Sequence, residues 1–92
     1  MARLEHICAD IALTSGQAGG QGDGEMYFRL GLMHANGRGA EPDFVEAHKW
    51  FNIAAMRGDR RAIAYRQEVS AEMSGDQIAT AQRAAREWLQ IH

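Results

Sequence analysis

Apolar positions in this chain recur at three- and four-residue intervals in five separate stretches. No stretch alternates apolar and polar residues long enough to form a half-buried strand. The first stretch carries Leu4, Ile7, Cys8, Ile11 and Ala12 at i, i+3, i+4, i+7 and i+8, which predicts a short amphipathic helix within residues 1–14. A helix of about three turns is marginal alone and has to dock on something. Residues 15–24 are small, polar and rich in glycine (Gly16, Gly19, Gly20, Gly22, Gly24) and predict a flexible linker. A second helix is expected over 25–36, with Met26, Tyr27, Leu30, Met33 and His34 on one side. Gly31 falls on that side too. A glycine inside a helix costs about 1 kcal/mol relative to alanine, so a neighbouring helix is expected to approach closely there. Asn36-Gly37 then offers a left-handed cap before a turn over 37–42.

The third helix has a clear start. Asp43 is an N-cap, and Glu46 three residues on suggests an acidic capping box. Its apolar side is Ala47, Trp50, Phe51, Ala54 and Ala55, with His48 outward, and Gly58 closes it. Asp59 is the expected N-cap of a fourth helix presenting Ala62, Tyr65, Val69 and Met73. Ser74 and Gln77 form a capping box for the fifth, whose apolar side is Ile78, Ala81, Ala85, Trp88 and Leu89. Trp50 and Trp88 sit in phase with alanines and are expected to be interior wedges between packed helices. The fold class that follows is all-α.

An internal repeat sharpens this. Ala47-x-x-Trp50-Phe51-x-Ile53 returns as Ala85-x-x-Trp88-Leu89-x-Ile91 at an offset of 38 residues. A period in that range with two helices per unit belongs to α-solenoids. The stretch Leu30-Gly31-x-x-His34-x-x-Gly37-x-Gly39-Ala40-x-x-Asp43-x-x-x-Ala47-x-x-Trp50-Phe51-x-x-Ala54-Ala55-x-x-Gly58-x-x-x-Ala62 resembles a Sel-1-like repeat. That family is a branch of the tetratricopeptide-like α/α repeats. The likeness covers residues 26–62 and keeps nearly every small or glycine position in register. It departs at Met26 (usually alanine), His34 (usually tyrosine), Ala40 (usually valine) and Glu46 (usually lysine). The resemblance implies a short α/α solenoid of one and a half to two helical hairpins plus the N-terminal helix. The single domain 1–92 then divides into that helix (1–14), the linker (15–24), the repeat (25–58) and a degenerate capping hairpin (59–92). In that cap, Gln82, Arg83, Arg86 and Glu87 are expected to face water. The resemblance also implies an adaptor that holds protein or peptide partners and performs no catalysis.

Composition narrows the chemistry. The chain has 92 residues, 46% of them hydrophobic, a net charge of −2 and one cysteine. One small core is affordable at that length, a disulfide framework is excluded, and a nucleic-acid binder would show a basic excess that is missing here. No apolar run reaches the ~18–20 residues of a membrane span, so a cytoplasmic protein without membrane partners is expected. The histidines His6, His34, His48 and His92 form no i, i+4 ligand pair and have no cysteine cluster beside them, so neither a metal nor another cofactor is expected. Cys8 lacks a local base and is expected to be a small buried hydrophobe. The glycine runs lack the strand and the Lys-Ser/Thr of a phosphate loop, and no nucleophile–base set stands out, so the chain is not expected to be an enzyme.

Charge is uneven. Residues 1–46 hold three Lys/Arg against seven Asp/Glu, a balance of −4, and residues 47–92 hold seven against five, a balance of +2. Arg57, Arg60, Arg61 and Arg66 are either a solvated helix face or one wall of a groove for carboxylates of an acidic partner. The expected partner surface is built from 25–33 and 59–68. Arg29, Leu32, Arg60, Ile63 and Gln67 are its candidate contacts, with Leu32 and Ile63 as exposed apolar points. A homodimeric structural module is the alternative reading, and a small metal-binding protein a weaker one.

Overall fold

A computed structural model describes residues 23–37 and 41–92. Among these residues there are four helices and no strand: α1 (Gly24–Asn36), α2 (Phe44–Met56), α3 (Arg61–Ser70) and α4 (Gly75–Ile91). The chain is all-α, in keeping with a short helical repeat solenoid. The helix expected within 1–14, with Cys8, lies outside the described residues, as do 15–22 of the expected linker. Gly24, placed in that linker by composition, instead opens α1.

Local chemistry sets most boundaries. Gly37 takes the left-handed conformation (φ 67°) and donates its N–H to the Met33 carbonyl at 3.0 Å, ending α1 as Asn36-Gly37 predicts. Asp43 caps α2 by accepting the Glu46 N–H at 3.1 Å, while its own N–H reaches back to the His34 carbonyl at 2.9 Å. The reciprocal half of that box does not form. The Glu46 carboxylate instead accepts from the Trp50 indole N–H at 3.2 Å and pairs with Lys49 at 3.3 Å. Gly58, at φ 104°, makes the break between α2 and α3. Ser74 and Gln77 form the full predicted box at α4, with bonds of 3.1 and 2.9 Å.

The core forms where α1 and α2 meet. α1 turns Phe28, Gly31, Leu32 and Ala35 inward, an i, i+3, i+4, i+7 stripe. This corrects the face expected from sequence: Met26 and Met33 are 53% and 48% exposed, and Leu30 is half-buried. Both sides of α1 are apolar, and spacing alone does not rank them. Gly31 does what its cost requires, since a Cβ there would lie 2.5 Å from the Phe51 ring. Ala47, Phe51 and Ala54 are the fully buried α2 residues of this core.

α2 is the shared helix. Arg66 of α3 donates to the Asn52 side chain at 2.5 Å, and Trp88 of α4 packs edge-on against Trp50 at 5.6 Å. α3 and α4 pack on α2 far more than on one another. The second helix pair is therefore splayed around α2 and not closed as a tight hairpin. Wrapping α2 on several sides also buries Ile53 and His48. His48, expected outward, is only 2% exposed, because a helix with three neighbours has little outward side left.

Two aromatic triangles fasten this arrangement. Phe28, Phe51 and Tyr65 join α1, α2 and α3 with ring centroids 5.0–6.0 Å apart. Tyr27, Trp50 and Trp88 join α1, α2 and α4 at 5.1–5.6 Å. Both tryptophans do pack between helices, but half-buried at the edge of the core, which corrects their expected interior position. The fully buried ring of α2 is Phe51. Arg57 and Lys49 cover the outer faces of Trp88 and Trp50 at 5.7 and 4.4 Å.

Candidate functional site

Four of the five candidate contacts are at the surface. On α3, Arg60 at its N-cap, Ile63 and Gln67 are exposed at i, i+3 and i+7, so they share one face, with Ile63 at 42% exposure. Tyr65 fixes the opposite direction: its ring meets Phe28 and Phe51, and Ile63 lies about 160° around the helix from it. On α1, Arg29 is exposed beside Met26 and Met33 and pairs with Glu25 one turn earlier. The fifth candidate fails. Leu32 is 3% exposed and belongs to the core, because it follows Phe28 by four residues on the inward stripe of α1.

The arginine cluster is mostly committed within the protein. Arg61 grips the carboxylate of Asp59 through two bonds, 2.9 Å from Nε and 2.7 Å from an NH2 nitrogen, with its guanidinium 4.5 Å from the Phe28 ring centre. Asp59 is itself buried and accepts the Arg61 backbone N–H at 3.1 Å, so it caps α3 as expected from one residue further out. That bidentate pairing, first among the causes, raises the Arg61 pKa. Arg66 is held by Asn52, and Arg57 by Asp23 at 3.6 Å and the His92 carbonyl at 3.3 Å. Arg60 alone of the four has no such partner among the described residues. The picture of an arginine-lined wall thus reduces, among the described residues, to one unpaired guanidinium beside one apolar contact.

Among the described residues, His48 is the one buried side chain with an unmet polar atom. Its Nδ1 has no hydrogen-bond partner. Burial, reinforced by the Arg66 charge, pushes the imidazole below its ordinary pKa. Among the described residues, no group of three or more His, Cys, Asp or Glu side chains is placed to hold a metal ion. No helix among them is long and apolar enough to cross a membrane.

The outer face of α4 is polar. Gln82, Arg83, Arg86 and Glu87 are exposed as expected of a terminal cap, while Ala81 and Ala85 face α2. The surface residues that periodicity missed are Met26 and Met33. The available signal was the 28/31/32/35 stripe, which claims the core for itself and leaves positions 26, 30 and 33 on the other side.

Two helices joined through a glycine cap, then a third laid on the second around small residues, define an α/α helical repeat. Residues 24–59 match the Sel1 repeat family, and the chain carries a Sel1-like repeat there. No curated protein and no solved structure matches the chain. Sel1 repeats are generally protein–protein interaction modules of the adaptor type, without enzymatic activity.

Proposed function

We propose that this protein is a non-enzymatic adaptor that holds a peptide or helix of a partner protein against the outer face of α3, with Arg29 of α1 at its border. The observation that carries the reading is the exposed triplet Arg60, Ile63 and Gln67: a cation unpaired among the described residues, an apolar contact 42% exposed, and an amide, all on one face. An apolar anchor beside an unpaired guanidinium suits a segment with an aliphatic side chain next to a carboxylate. Membership of residues 24–59 in an interaction-module family supports the same reading.

The experiment is affinity capture from source lysate, followed by titration of the captured protein against the wild type and Arg60→Glu/Ile63→Asp. Arg61 is left intact because it binds Asp59. The double variant is expected to bind at least tenfold more weakly, about 1.4 kcal/mol, and the salt dependence of binding is expected to shrink. Arg83→Glu/Arg86→Glu on α4 is expected to bind like the wild type. Unchanged affinity for the α3 variant would overturn the reading.

A further inference from the structure

α1 is apolar on two opposite sides. One side, Phe28, Leu32 and Ala35, is sealed against α2. The other carries Met26, Leu30 and Met33 at i, i+4 and i+7, with both methionines about half exposed and Leu30 half-buried. A helix apolar on both sides is one whose second side is meant to be covered. No described helix covers it.

The chain supplies a matching stripe. Leu4, Ile7, Cys8 and Ile11 repeat at i, i+3, i+4 and i+7, so the stripe from Leu4 to Ile11 spans eight residues, the same as that from Met26 to Met33. We propose that residues 4–12 dock intramolecularly on the Met26–Leu30–Met33 side of α1. The tether permits it. The twelve residues 12–23 reach up to about 40 Å when extended, whereas α1, with 13 residues, is about 20 Å long. The described chain begins at Asp23, one turn from Met26, so the segment arrives at the end of the stripe it is to cover. A short tether presents its segment at an effective concentration on the order of millimolar, which favours it over a second copy or a free partner. The inference stands apart from the adaptor reading, which rests on the Arg60, Ile63 and Gln67 face of α3 and takes only Arg29 from α1.

Cys8 makes the contact measurable, because it is the only thiol in the chain. The full-length protein is reacted with a chromophoric disulfide reagent, alongside a peptide of residues 1–22. Docking predicts that Cys8 in the protein reacts at least about tenfold more slowly than in the peptide. Met26→Glu/Met33→Glu is expected to bring the rate to within about twofold of the peptide with the far-ultraviolet helical signal retained. Met56→Glu, at an exposed position outside the stripe, is expected to leave protection intact. Ile7→Asp/Ile11→Asp breaks the contact from the other side and is expected to free Cys8 without touching α1. Equal rates in protein and peptide, protection that survives both double variants, or protection that grows with protein concentration would overturn the proposal, the last by assigning the face to a second copy.

Discussion

Gly31 and His48 show two ways in which a single position constrains this molecule. A methyl group at Gly31 would sit 2.5 Å from carbons of the Phe51 ring, which is fully buried and has nowhere to go. Gly31→Ala is therefore expected to destabilise the fold by about 1–3 kcal/mol, read from urea unfolding. Gly75→Ala, where a Cβ meets open space at the start of α4, is expected to be neutral or stabilising by about 0.5 kcal/mol. The special status of Gly31 was legible in the sequence, because a glycine in mid-helix needs a reason. Its assignment to the stripe of Met26 and Leu30 was not sound, because α1 is apolar on both sides and only contact with α2 chooses between them.

His48 could not be placed from sequence, since its burial depends on helices that arrive later in the chain. Its pKa is lowered in the fold from an unperturbed value of 6.5. The neutral ring is favoured in the folded protein, so its stabilisation is fully present above pH 6.5 and is lost as pH falls below it. Stability should fall as the pH is lowered from 6.5 towards the depressed folded-state pKa, with a limiting slope of about 1.4 kcal/mol per pH unit for one proton. The difference between wild type and His48→Phe in urea titrations across that range isolates the effect. A pH slope unchanged by the substitution would show that His48 is not its source.

At the scale of elements, the caps were the most readable features, because a cap is chemistry among neighbours in sequence. Ser74-x-x-Gln77 and Asp43 act as their residue types dictate. Glu46 departs because the Trp50 indole and Lys49, one turn away, compete for its carboxylate. Ser74→Ala should cost about 1 kcal/mol in thermal or urea unfolding, with the loss confined to α4 in hydrogen exchange. The repeated Trp50 and Trp88 did mark a real contact, since the two rings meet edge to face. Their partial exposure was hidden because period alone does not say how far a core extends. Trp88→Ala removes α4 from both Tyr27 and Trp50 and is expected to cost about 3 kcal/mol. It should also change the emission of the remaining tryptophan, Trp50, by opening its face to water.

For the whole molecule, the helical class and the repeat were visible in the sequence, and the relative placement of α3 and α4 was not. Helices expected to pair with each other instead share α2, because α2 offers buried positions on several sides while α3 is short, 10 residues against 17 in α4. That arrangement leaves two outer surfaces of different character: a mixed apolar and cationic face on α3, and a polar one on α4. Three of the four clustered arginines looked available in the sequence and are in fact occupied by Asp59, Asn52, Asp23 and the His92 carbonyl. Side-chain pairing of this kind depends on tertiary proximity, which charge counting does not see.

The adaptor account comes down to which outer surface a partner covers. Hydrogen–deuterium exchange of the full-length protein, alone and saturated with the captured partner, tests it most directly. Slowed exchange across 60–67, reaching Arg29 in α1, with residues 79–87 of α4 unchanged, is the predicted footprint. Protection centred on 79–87, with 60–67 exchanging as in the free protein, would contradict it.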